Sequence, residues 1–161
     1  MTIQAEERRS ARLAAVQALS QMEISGEGAE EVAEQFIAHR FAELVEAGMP
    51  APDEAFFSAI LQGVPAHQVE IDRAVASALS QNWKLDRVDS ILRAILRCGV
   101  FELVARRDVP AKVVIDEYVA VAGAFFGGDE PGFVNAVLDS LARRKRAKEF
   151  GLPVPEGEIE F

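Results

Sequence analysis

Cysteine occurs once in this sequence of 161 residues, tryptophan once, tyrosine once and histidine twice. Each scarcity removes a class of function. Cys98 has no second cysteine to pair with and lies in a predicted helix among Leu96, Gly99 and Phe101, so it reads as a small buried hydrophobe in a protein of the reducing cytoplasm. His39 and His67 fall in different predicted helices, and neither has a partner at the spacing of a metal motif such as His-Glu-x-x-His. Both read as surface residues, and no metal or other cofactor is expected. No serine sits in a Gly-x-Ser-x-Gly elbow, and Gly127-Gly128 is not followed by Gly-Lys-Ser/Thr, so it is a loop and not a phosphate cradle. Adjacent Asp116 and Glu117 would point roughly 100° apart on a helix, a poor arrangement for an acid and base that share one substrate. A binding surface is expected here, not an enzyme. No apolar run approaches the roughly 18 to 20 residues that span a bilayer, and no basic-then-apolar leader opens the sequence, so a soluble protein without membrane contact is expected.

An apolar content of 50% over this length suffices for a real core, in one domain or two small subdomains. The net charge of −9 opposes nucleic-acid binding at first sight, because attraction to phosphate supplies most sequence-independent affinity. Its distribution changes that reading. Between Glu23 and Phe57 nine acids face one strong base, Arg40, so this stretch carries −8 and the remainder only −1. Bases gather instead at Arg8, Arg9 and Arg12, from Lys84 to Lys112, and at Arg143, Arg144, Lys145, Arg146 and Lys148. A positive face on an acidic protein is compatible with this pattern, although a charge run by itself is more often a solvated helix face.

Apolar positions recur with helical period throughout, and no convincing period-two strand is present, so the fold class is all-α, with six to seven helices. A first helix over about 6–22 buries Ala11, Ala15, Ala18 and Met22 and leaves its arginines exposed, Arg8 and Arg12 on one face. A second over about 29–47 buries Ala33, Ile37, Phe41, Leu44 and Val45 before Gly48 and Pro50 end it. A third runs from about Asp53 to Gly63, with a break at Pro65 and a further helix to about Leu79. After Asn82 and Trp83, a long helix over about 86–106 buries Val88, Leu92, Ile95, Leu96, Gly99 and Leu103 and turns Arg93 and Arg97 outward. Gly99 costs that helix about 1 kcal/mol relative to alanine, which suggests another helix packed closely over it. Two helices follow, each led by an acid shortly before a proline: Asp108 and Pro110, then Asp129 and Pro131. The expected organisation is an N-terminal helical subdomain over 1–80, a C-terminal one over 81–149 and a mobile tail over 150–161, where prolines, glycines and glutamates leave too little apolar surface to offset ordering.

The segments ILRCGVFEL, DVPAKVVIDEYVAVA and FVNAVLD, together with RRSARLAAVQAL at Arg8 to Leu19, resemble the NusB family of bacterial transcription antitermination factors. The resemblance implies a fold of two packed three-helix bundles, in agreement with the helices counted from periodicity. It also implies that Arg8, Arg9 and Arg12 contact the phosphates of a short single-stranded RNA element, boxA, for which guanidinium forks and a helix amino end are physically suited. The plain alternative is exposed arginines paired with Glu6 and Glu7. Asp129 and Phe133 match a second RNA-contacting region of the family: Phe133 offers a ring for an unstacked base or packs in the core, and Asp129 lies near RNA or caps its helix. Ser10, Ser20, Gly123 and Gly132 depart from residues common in the family, at least three of them by loss of positive charge. The partner implied is the small-subunit ribosomal protein NusE, docked on the C-terminal helices with Glu102, Asp116 and Glu117 as acidic contacts, and through it the elongating RNA polymerase. Competing readings are the NusB-like domain of a ribosomal RNA cytosine methyltransferase, for which a Rossmann-type segment would have to follow, and a helical protein-interaction module without RNA. Exposed apolar residues would support a homodimer.

Overall fold

The computed structural model describes residues 2–79 and 84–155. Asn82 and Trp83, expected to introduce the second half, lie outside them, as does the end of the expected tail, 156–161. Among the described residues there are helices and turns and no strand. The chain divides into two compact units, Met1–Ala66 and His67–Phe161.

In the first unit α1 (Ile3–Ser25) is opened by Thr2, whose Oγ1 accepts from the Ala5 amide at 3.1 Å. It is closed by Gly26, which takes the left-handed conformation with φ 76° and donates to the Met22 carbonyl. One helical rod follows, α2 (Ala29–Gln35) passing through a π segment (Phe36–Arg40) into α3 (Phe41–Glu46). The π segment has a packing cause. Phe36 and Phe41 are five residues apart, a spacing that an α-helix would split across two faces, and the wider turn, with the Phe41 amide donating to the Phe36 carbonyl, lets both rings reach Phe57 on α4 (Glu54–Ala66). Phe36 stacks on Phe57 at 5.8 Å between centroids, and Phe41 meets it edge-on at 5.0 Å. Val45, expected inside, is 48% exposed and Ile37 only half-buried, while Phe36 turns inward beside the expected Phe41 and Leu44. Pro65 lies in the last turn of α4, and the chain breaks at His67, two residues later than expected.

In the second unit α5 (Gln68–Ala78) packs on α6 (Ser90–Ala105) and α8 (Glu130–Lys145), and α7 (Ala111–Phe125) packs on both α6 and α8. The helix α5, which its place in the chain assigns to the N-terminal half, belongs by packing to this unit. Asp89 caps α6 through Oδ1, 2.9 Å from the Ile91 amide. Being packed by three helices, α6 buries far more than one stripe, including Cys98, Glu102 and Leu103 at 0% exposure. Burial pushes the Cys98 thiol well above its ordinary value, the Glu102 carboxylate adds to the rise, and Arg97 opposes it; such a thiol is chemically inert. The close approach over Gly99 is present: a Cβ built there would lie 2.8 Å from both terminal methyls of Leu138 on α8.

Arg93 and Arg97 do not look outward. Arg97 makes a two-pronged pair with Asp72 of α5, at 2.8 and 3.0 Å, and Arg93 turns back to the carbonyls of Leu85, Asp86 and Val88. Asp108 does not cap α7 either. It pairs with Arg106 at 3.1 Å, while the first amide of α7, on Ala111, donates to Glu149 Oε1 at 2.9 Å. Asp129 sits at the N-cap position of α8, where its backbone carbonyl accepts from the Phe133 amide at 3.0 Å and its side chain makes no capping bond.

Candidate nucleic-acid interface

The cationic end of α1 is built on one aromatic ring. Asp53, in the loop before α4, donates its amide to the Glu7 carbonyl at 3.0 Å and accepts from the Phe56 amide on Oδ1 at 3.0 Å, which ties the start of α4 to the second turn of α1. Phe56 thereby lies beneath Arg8 and Arg12, one helical turn apart, whose guanidinium carbons stand 4.7 and 4.9 Å from its centroid. The two arginines do share a face, as their spacing implies. That face turns toward the unit's own core. Phe56 is 2% exposed and Arg12 3%, so Arg12 is buried where an exposed arginine was expected. A guanidinium is weakly hydrated and planar, and stacking on a ring is one of the few ways to bury it at modest cost. Arg8 is half-buried, and Arg9, on the adjacent flank of the helix, is exposed.

The three arginines thus divide the work: Arg12 packs, Arg8 is held over Phe56 with part of its surface outward, and Arg9 lies on the solvent side. Ser10, between Arg9 and Arg12 in sequence, is fully buried. Most acids of the 23–57 stretch, among them Glu30, Glu31, Glu34, Glu43 and Glu46, line the exposed side of α2 and α3.

In the second unit Gly127, Gly128 and Asp129 are exposed and Phe133 is half-buried in the first turn of α8. This places an acid and a partly accessible ring on one short segment. The three acids expected to meet a protein partner separate sharply. Asp116 is exposed on α7. Glu117 is buried, and Glu102 is fully buried in the interior, where Tyr118 donates its hydroxyl to Oε2. Glu102, expected as an acidic contact, therefore presents no surface to a partner: α6 is packed by α5, α7 and α8, and a carboxylate there must find its hydrogen bonds inside. The seating of Arg8 and Arg12 on Phe56 is what sequence reasoning missed. The available signal was Asp53 three residues before Phe56, a helix-start spacing that fixes which way the ring enters the bundle.

The family model for NusB matches residues 9–143. Transcription antitermination protein NusB of Maricaulis maris is 52% identical over 144 residues, 89% of this chain and 90% of that protein. The chain belongs to the NusB family. A second NusB, from Nitrobacter winogradskyi, is 53% identical over 147 residues and covers 91% of each chain. Among solved structures, NusB of T. maritima superposes with a TM-score of 0.72 at 27% identity, over 90% of this chain and 97% of that one. A structure of antitermination factors NusB and NusE in complex with dsRNA has a TM-score of 0.70 at 23% identity, over 85% and 96% of the two chains, and speaks for the fold. The NusB match begins at Arg9, so it includes Arg9, Arg12, Asp129 and Phe133 and leaves Arg8 just outside. No helix among the described residues is long and apolar enough to cross a membrane.

Proposed function

We propose that this chain is a cytoplasmic transcription antitermination factor that, together with ribosomal protein NusE, binds a boxA-type single-stranded RNA in nascent ribosomal RNA transcripts and so supports processive elongation by RNA polymerase. Membership of a family whose relatives of about the same length carry that name is the observation that carries the reading. The charge distribution supports it. Arg9 and Arg8 at the amino end of α1 are the phosphate contacts, where guanidinium and helix dipole act in the same direction. Arg12 is a positioning residue: it keeps Phe56, and with it the Arg8 guanidinium, in place. Asp129 and Phe133 form a second contact, with the ring stacking on a base. Asp116 is the acid on α7 with surface for a basic partner. NusE supplies the positive charge that a chain of −9 lacks, so the pair binds RNA better than either component alone.

The test is an anisotropy titration of boxA RNA with and without NusE at two salt concentrations. Adding NusE is expected to raise affinity markedly. Replacing Arg8 and Arg9 by alanine is expected to weaken RNA binding and to flatten its salt dependence by about 0.7 in log–log slope for each phosphate no longer neutralised, while NusE binding stays unchanged. No gain from NusE at either salt refutes the reading.

A further inference from the structure

A concavity of about 260 Å³ opens in the second unit where the end of α8 meets the residues that follow α6. Arg107, Arg144, Lys145, Arg146 and Lys148 line it, against one acid, Glu149. Arg146 is engaged internally: its guanidinium pairs with Glu149 at 2.6 Å and with backbone carbonyls, and Arg107 also acts on the Glu149 carboxylate. Five cations and a single acid thus line one small hollow, in a protein whose net charge is −9. Arg107 Nη1 donates to the Lys145 carbonyl at 3.2 Å, which joins the two stretches that line it. The Arg144 Nε is buried without a hydrogen-bond partner, although its Nη2 donates to Ser77 Oγ at 2.9 Å.

The dipole at the end of α8 favours positive charge nearby, but that effect fades within a turn and does not call for Arg107, which comes from beyond α6. Cations gathered in a concave, partly desolvated wall repel one another and concentrate counter-ions. Size then selects the anion. Pockets for drug-sized ligands run from roughly 300 to 1,000 Å³ and are mostly apolar; this one is smaller and charged, suited to a single tetrahedral anion. Donor forks and lysine ammonium groups are the usual ligands of phosphate.

We propose that this hollow is a phosphate-binding site, distinct from the end of α1, that takes either a backbone phosphate of RNA or the phosphate of a small phosphorylated compound. The experiment uses the full chain. Amide shifts are followed by NMR as inorganic phosphate is added at constant ionic strength against chloride, for the native protein and for Arg107→Gln/Lys148→Gln, and the same two proteins are titrated with single-stranded RNA at several salt concentrations. Saturable shifts at Arg107 and from Arg144 to Lys148 are expected, with binding about tenfold weaker in the double variant. If the salt slope of RNA binding also falls in the variant, by about 0.7 for each phosphate released, the source is RNA; if RNA binding is untouched while phosphate binding falls, the source is a free phosphate compound. Shifts no larger than those in chloride overturn the site. A native protein that saturates with phosphate yet binds no RNA would leave this site standing and count against the RNA reading alone.

Discussion

Replacing Arg146 tests the main polar joint of the second unit. All five guanidinium N–H groups have an acceptor: Nε the Leu103 carbonyl at 2.6 Å, Nη1 the Val109 carbonyl at 3.0 Å and Glu149 at 2.6 Å, Nη2 the Glu102 carbonyl at 3.3 Å and the Arg106 carbonyl at 3.0 Å. Three of these carbonyls belong to the last turn of α6 and its cap, where the regular helix ladder runs out. The Glu102 and Arg106 carbonyls also accept from the Arg106 and Val109 amides, so the removal falls hardest on Leu103, Val109 and Glu149. Arg146 is 4% exposed, so water does not take over when its side chain is removed. Arg146→Met keeps most of the volume and stem and deletes every donor. Each buried acceptor left alone costs about 1–3 kcal/mol, but adjustment of the terminal turn recovers part of this. A net loss of about 3–5 kcal/mol is expected, the range found when one member of a buried ionic cluster is removed. Against a typical stability of about 5–15 kcal/mol, the second unit then unfolds readily. Urea unfolding followed by circular dichroism gives the midpoint and slope, and exchange of the terminal α6 amides locates the effect. Arg146→Lys keeps the charge but not the planar fork, so it recovers only part of the loss. A fall below about 1 kcal/mol for Arg146→Met, with unchanged slope, would refute the argument, because it would mean that these acceptors find other partners at no cost.

Gly99→Ala should destabilise by about 1 kcal/mol even though alanine favours the helix, because the added methyl meets Leu138, itself fully buried, at 2.8 Å; combined with Leu138→Val it should cost less than the sum of the two single changes in urea midpoints. Acid should weaken the second unit through Glu149. Its burial raises the carboxyl's affinity for a proton, but the Ala111 amide and Arg146 outweigh this and hold its pKa below the ordinary glutamate value of 4.5. The folded state thus favours the ionised form, and the resulting stability is complete above the ordinary value and lost as pH falls through the depressed one. Urea midpoints of the native chain and of Glu149→Gln should differ at pH 6 and converge toward pH 3, and a gap that stays constant across that range would exclude the ionised carboxylate as its cause.

Helical periodicity reveals which residues lie on a common face, and here it placed the helices, the close contact at Gly99 and the shared face of Arg8 and Arg12. It does not reveal what meets that face. Arg12, Arg97 and Arg146 resemble Arg9 and Lys148 in sequence, each a base in a helix or at its end, yet the first three are engaged by Phe56, by Asp72 and by the terminal carbonyls of α6. Each of those partners comes from another element, between 25 and 44 residues away. The π segment escaped for the same reason: its cause is the pull of Phe57 on two rings five residues apart, and a strict 3.6-residue period cannot represent it. An arginine costs much free energy to bury without partners and little to leave in water, so its fate is decided by whether a ring, a carboxylate or a helix end stands within reach of its long stem. The charge available to RNA is therefore smaller than the number of bases. On α1 it lies mainly on the exposed flank that bears Arg9, because Phe56 draws the neighbouring face, with Arg8 and Arg12, toward the core.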